Sequence, residues 1–175
     1  MTQAFPIEPS SKVGDVLDRY PEFEDVLIGM APPFKKLKNP LLRKSVGKVA
    51  TLRQAAAVGR ISVDDLVNRL RSEVGQEPIN IGEAEDGEGY FSDRPEWFDI
   101  TKVAASIDES RATESGEMTL NGVSRAASRL APGEIVEFIT TFLPAPGIDI
   151  MRKKGFLVWP VQEGPELVKT YLFRP

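Results

Sequence analysis

Two residue types that carry much of side-chain chemistry at neutral pH are missing from this sequence, which contains no Cys and no His. Without thiolates there are no disulfides, zinc fingers, thiolate iron–sulfur sites or thiol nucleophiles. Without imidazole there is no His-based triad, no imidazole ligation of metal or haem, and no imidazole pH sensing. Metal ligation is left to carboxylates, which suit hard ions. Two groups of residues remain with suitable types and spacing. Gly116-Glu117-Met118-Thr119 stands at a predicted helix start. Backbone N–H groups gather there and can hold an anion or a small ligand. Glu117 would be an acid or base at that site, and Thr119 an N-cap. The second group is Lys35, Lys36, Lys38, Arg43, Lys44 and Lys48, within residues 34–60, a run with eight basic residues and no acid. Charge segregation of this kind marks a contact surface.

Other patterns carry less. Ser45-x-x-Lys48 has the spacing of a penicillin-binding nucleophile, but its companion motifs are absent and chance alone supplies such a pair. There is no Gly-rich phosphate loop and no Gly-x-Gly-x-x-Gly. The acids of residues 75–95 lack the order of an EF-hand loop. Arg152-Lys153-Lys154 ends a predicted helix, where cations complement the carbonyl end of the dipole. The sequence therefore assigns no catalytic residue, no metal and no cofactor.

A chain of 175 residues allows one domain or two small ones. Its net charge of −4 is unevenly spread. Residues 1–74 hold 12 basic and 9 acidic side chains, whereas residues 75–96 hold 1 basic and 7 acidic. Residues 1–74 read as a helical bundle. Val13, Val16, Leu17 and Tyr20 share one helix face, and Phe23, Val26, Leu27 and Met30 repeat the spacing. Ala31-Pro32-Pro33 should break the chain. Asn39 caps a helix with Pro40 at its first position. Thr51 caps the next, with Gly59 as its expected stop. Ser62 and Asp65 open a last helix along Val63, Leu66, Val67, Leu70 and Val74.

Residues 75–95 are rich in Gly, acids and Pro, show no period, and read as an acidic linker. Its acids Glu83, Glu85, Asp86 and Glu88 could fold over the basic run of residues 34–60. Residues 96–175 change character. Trp97-Phe98-Asp99-Ile100 predicts a short strand, and residues 101–118 an irregular stretch. Leu120, Val123, Ala127 and Leu130 predict a helix, Ile135 to Phe142 a buried strand, and Ile148 to Lys154 a second helix. Phe156 to Val161 and Leu167 to Phe173 predict two strands joined by a turn at 162–165. The order β-α-β-α-β-β implies a two-layer sandwich of two helices on a mixed four-stranded sheet. The fold class is thus α+β. Most of Trp97, Phe138, Phe142, Phe156, Trp159, Tyr171 and Phe173 should pack in the core or on the sheet. The sheet face away from the helices then needs cover or a partner.

Two resemblances bear on this outline. Val13-Gly14-Asp15-Val16-Leu17, Tyr20-Pro21 and the stretch from Asn39 to Leu52 resemble a small helical domain of unknown function, related to the N-terminal domain of iron–sulfur cluster repair proteins. Many members carry a Cys pair where this chain has Gly29-Met30-Ala31-Pro32-Pro33. Residues 97–174 resemble a second family of unknown function, similar in fold to the TusA/SirA-like sulfur carriers. Phe98-Asp99, Gly116-Glu117, Leu130 to Glu134, Phe142 to Pro146 and Lys154-Gly155-Phe156 carry that resemblance. The sulfur carriers place a Cys-Pro pair at the start of the first helix, where the dipole stabilises a persulfide. Here Met118 and Thr119 take those places. A thioether forms no persulfide, so the resemblance implies the fold without sulfur transfer.

The function expected from these residues is that of a non-enzymatic, two-domain interaction or regulatory module. The resemblances add a link to redox or metal-centre physiology. The partner expected is a protein or a second copy. Nucleic acid is disfavoured, because no aromatic follows Phe34 within the basic run. A solvated helix surface is the plainer account of that run. The alternative function is a small-ligand or anion-binding domain at Gly116–Thr119. No secretory signal and no membrane span is expected, which reads as a cytoplasmic protein.

Overall fold

The computed structural model describes residues 5–82, 89–110 and 116–175, with side chains in the last span described from 121 onward. The chain divides into two compact units, Met1–Glu88 and Gly89–Pro175. The first is helical and the second carries a mixed four-stranded sheet with two helices.

The first unit contains α1 (Val13–Arg19), α2 (Phe23–Met30), a 3-10 helix (Pro32–Lys38), α3 (Pro40–Gly47), α4 (Leu52–Gly59) and α5 (Val63–Glu73). The caps follow the sequence. Asn39 Oδ1 accepts from the N–H groups of Leu41 and Leu42. Thr51 and Gln54 exchange side-chain and backbone hydrogen bonds as a capping box, and Ser62 Oγ accepts from Asp65 N–H. The apolar stripes converge on one core, in which Val16, Leu17, Phe23, Leu52, Leu66 and Leu70 are fully buried.

One local expectation holds and another needs correcting. Ala31-Pro32-Pro33 breaks the α-helix as expected, and Pro32 then opens a 3-10 helix. Proline suits a first helical turn, where its missing N–H has no intrahelical partner to lose. Gly59 does not provide the left-handed stop of α4. That conformation falls on Arg60, with φ 53°. Gly59 is small for another reason: a Cβ there would lie 2.9 Å from Phe34 Cζ and 3.0 Å from Ala31 Cβ.

The stretch read as a linker is described at both ends. Residues 75–82 are tied to the helical unit. The Gln76 side chain donates to Phe5 O and accepts from Ile7 N–H. The Asn68 side chain exchanges two hydrogen bonds with the backbone of Ile79. Ile81 is buried, and its N–H donates to Asp64. Glu83, Glu85, Asp86 and Glu88 lie outside the described residues.

The second unit runs β1 (Val103–Asp108), α6 (Gly116–Ser128), β2 (Ile135–Thr140), α7 (Ala145–Lys153), β3 (Leu157–Gly164) and β4 (Leu167–Phe173). The sheet order is β1-β2-β4-β3, with β1 parallel to β2 and the other pairs antiparallel. Val123 and Ala127 of α6 and Met151 of α7 pack with Val136, Phe138 and Leu172 on one sheet face. This is the sandwich the sequence implied, but bounds differ: β2 ends at Thr140 rather than Phe142, α7 starts at Ala145 rather than Ile148, and β3 runs on to Gly164. Two further differences concern β1 and the last turn. The first strand is Val103–Asp108, not residues 97–100. It is an edge strand with Ala104, Ala105 and Ser106 exposed, so it lacks the apolar signature that marks β2. The turn between β3 and β4 is the two-residue Pro165-Glu166, inside the expected range of residues 162–165 only at Pro165.

The aromatic run instead forms a strap over the open face of the sheet. Trp97 stacks on Phe173 with ring centroids 5.4 Å apart. Phe98 meets Trp159 at 4.8 Å and Tyr171 at 4.6 Å. Trp159 Nε1–H donates to Ser92 O at 3.0 Å, and Tyr90 O–H donates to Asp149 Oδ2 at 2.6 Å. Residues 90–98 are thereby fixed to α7, β3 and β4 in turn. The strap gives the open face part of the cover that its aromatic side chains require.

Candidate functional site

The basic residues singled out in the sequence separate into two groups. Lys35, Lys36 and Lys38 sit on the 3-10 helix. Arg43 and Lys44 sit on α3, and Lys48 is its C-cap. Arg43, Lys44 and Lys48 line one cleft of about 320 Å³, together with Gly14, Asp18 and Pro40. The other three lysines are not part of that lining. The helix period explains the grouping: positions 44 and 48 are four apart and share a face, with 43 beside them.

The cleft exists because α1 and α3 approach closely. Gly14 and Gly47 face one another across the helix pair, and a Cβ on Gly14 would stand 3.0 Å from the carbonyl carbon and oxygen of Gly47. Arg43 is a structural cation at the cleft wall. Its Nη1 lies 2.7 Å from Glu24 Oε2, and its Nη2 donates to Leu17 O. Lys44 and Lys48 are exposed, and among the described residues neither forms an ion pair. Asp18 is the single acid of the lining. The cleft thus offers two uncommitted ammonium groups beside a fixed guanidinium, a setting for carboxylates or other anions. Gly14 and Asp18 were not marked as site residues by sequence, because a backbone approach between helices has no pattern of its own.

A second, wider cleft of about 550 Å³ lies between α2 and α5, lined by Asp25, Val26, Gly29, Met30, Asp65 and Arg69. Asp25 and Asp65 are exposed, and Arg69 pairs with Glu73 at 2.7 Å. Among the described residues no group of three or more acids could hold a metal ion.

The open sheet face of the second unit carries a polar cluster that the sequence did not reveal. Glu137 Oε2 accepts from Ser106 Oγ at 2.6 Å, and its Oε1 accepts from Tyr171 O–H at 3.1 Å. Lys169 Nζ lies 3.8 Å from Glu137 and 3.1 Å from Glu163. Strand register puts them together: Ser106 pairs with Glu137 and Glu137 with Tyr171. Burial, and then the hydrogen bond to Glu137, push the Tyr171 phenol up to about 12. The hydrogen bond to Glu163 raises the Lys169 ammonium above its ordinary value. Both groups are held in their protonated forms, which opposes a role as base or nucleophile at neutral pH. On the strap, the Thr101 hydroxyl and N–H hold the Asp99 carboxyl below its usual range. Arg94 lies over the Phe98 ring and Lys102 over the Phe173 ring.

Gly116, Glu117, Met118 and Thr119 form the first turn of α6, so Thr119 lies within the helix and is not the N-cap the sequence suggested. The side chains of Glu117, Met118 and Thr119 lie outside the described residues. Arg152 and Lys153 fall in the last turn of α7, and the Arg152 guanidinium lies over the Tyr90 ring at 5.4 Å. Among the described residues no helix is long and apolar enough to cross a membrane.

Residues 7–67 match the model of a domain of unknown function (DUF1858). The match covers α1 to α4 and the start of α5, including every lining residue of the α1/α3 cleft. Neither the curated proteins nor the solved structures yield a match to this chain.

Proposed function

We propose that the helical unit is a docking module for an acidic protein segment, received at the α1/α3 cleft. The observation that carries this reading is the convergence of Arg43, Lys44 and Lys48 on one cleft, with Lys44 and Lys48 exposed and uncommitted. Lys35, Lys36 and Lys38 extend the cationic surface along the preceding 3-10 helix. The protein acts by association rather than by catalysis. The chain has no Cys or His, and the polar cluster around Glu137 on the sheet keeps its tyrosine and lysine protonated. Kinship of the second unit with the TusA-like fold is supported by its β-α-β-α-β-β order. The link to redox or metal-centre physiology rests on the family resemblances alone.

The test is fluorescence anisotropy with a labelled glutamate-rich peptide at low and moderate salt. Exposed charges interact within about 8–10 Å at physiological ionic strength, so affinity should fall as salt rises. The double variant Lys44→Glu, Lys48→Glu should bind at least about tenfold more weakly. Arg43 is left intact because it holds α3 to Glu24 and Leu17. Equal binding to both proteins, or none to either, overturns the reading.

A further inference from the structure

We propose that the segment received at the α1/α3 cleft carries apolar side chains on both flanks of its acids, with Leu41 and Val49 as their contacts. This rests on the docking reading above and specifies its partner. Leu41 is 56% exposed and Val49 is 37% exposed. Among the described residues of the first unit they are the two large apolar ones that the fold leaves in solvent. Both belong to the same stretch as the uncommitted cations. Leu41, Lys44 and Ser45 share one face of α3, and Lys48 and Val49 follow at its C-cap and in the turn just past it. Chain order therefore reads apolar, cationic, cationic, apolar from α3 through the turn that ends it.

This stretch is ordered at both ends. Ser45 Oγ donates to Leu41 O at 2.8 Å. The N–H of Val49 bonds back to Val46 O, and its own carbonyl accepts from Lys12 Nζ at 2.9 Å. Lys12 thus places a further cation beside Val49. The matching segment has acids at its centre and an apolar residue at each end. Nucleic acid would answer the cations but would leave Leu41 and Val49 without apolar partners.

The test compares two labelled peptides on the full chain. One contains only glutamate and glycine, and the other has the same acidic centre with a leucine on each flank. The Leu-flanked peptide should bind the wild type about tenfold more tightly, the effect of covering two half-exposed apolar side chains. In the variant Leu41→Ser, Val49→Ser the two peptides should bind within about twofold of each other, with the acid-only affinity unchanged. Both positions are exposed, and thermal melting checks that the variant is folded. If the acid-only peptide binds and leucines add nothing, this inference fails while the docking reading stands. If neither peptide binds, or a single-stranded oligonucleotide binds more tightly than both, the inference falls with that reading.

Discussion

Gly14 and Gly47 meet backbone to backbone. A Cβ on Gly14 would stand 3.0 Å from the carbonyl carbon and oxygen of Gly47, and one on Gly47 would stand 3.2 Å from Gly14 Cα. The contact has no flexible side chain that could yield. It sets the distance between α1 and α3, and so the shape of the cationic cleft.

Gly14→Ala must therefore push the two helices apart. Overpacking of this kind costs about 1–3 kcal/mol. Chemical denaturation should report a loss in that range, together with weaker binding of the acidic peptide. Glycine-to-alanine in a helix ordinarily adds stability of about 0.5–1 kcal/mol. An increase in stability on Gly14→Ala would show that the helices do not meet as described.

The end of α4 offers a paired prediction with opposite signs. Arg60 holds the left-handed conformation, which costs a side-chain-bearing residue about 1–2 kcal/mol. Arg60→Gly removes that cost, and the gain is reduced by whatever the Arg60 side chain contributes through its own contacts. Gly59→Ala has no such relief, because the new methyl meets Phe34 and Ala31. Urea unfolding should place Arg60→Gly at or above the wild type and Gly59→Ala below it. The reverse order would contradict the described helix end.

How far these features were legible in the sequence depends on their physical origin. Caps at Asn39, Thr51 and Ser62 were readable because a side-chain oxygen beside a free N–H is a local bond. The five α-helices and the β-α-β-α-β-β order were readable because burial imposes a period. The Gly14–Gly47 approach, the Gly59–Phe34 contact and the Ser106–Glu137–Tyr171 cluster were not readable. Each joins residues whose separation in sequence carries no period. β1 was misplaced for a related reason. Trp97 and Phe98 have strand-like composition, but Trp97 stacks on Phe173 and Phe98 packs edge-on against Trp159, on a sheet already formed by others. The true strand exposes Ala104, Ala105 and Ser106, and so shows little apolar signal.

At alkaline pH, Tyr171 should titrate late. Its folded value is raised from 10.0 to about 12, so between those values the unfolded chain gives up a proton that the native state keeps. Stability is then lost as pH rises through that window. Lys169 acts in the same direction, since its folded value is raised above 10.5 and its favourable contribution disappears as it deprotonates. Ultraviolet titration should show one phenol fewer at the high end in Tyr171→Phe. The slope of stability against pH above 10 should also be shallower in that variant. An unchanged titration curve would remove Tyr171 from this role.

Thr170 is 1% exposed in the centre of the sheet, and among the described residues its Oγ1 has no hydrogen-bond partner. Leaving a buried hydroxyl unsatisfied costs about 1–3 kcal/mol, whereas an apolar group of the same shape avoids that cost. Thr170→Val should raise the unfolding free energy by about 1 kcal/mol in chemical denaturation. A loss of stability would mean that the hydroxyl has a partner.

The sheet's connectivity implies an order of assembly. β3 and β4 are joined by two residues, and such hairpins form in about 1–10 μs. β1 reaches β2 only after α6 has crossed between them, because the two strands are parallel. That long closure must be completed before any of its pairing is gained. β1 therefore joins after the β3/β4 hairpin, and in pulsed hydrogen exchange its amides should acquire protection after those of β3 and β4. Early protection at Ser106 and Ile107 would refute that sequence of events. Until that closure, the edge of β2 is open to other chains in addition to the outer edge of β3, so a slow refolding step at high concentration would be the moment at which this protein is most prone to aggregate.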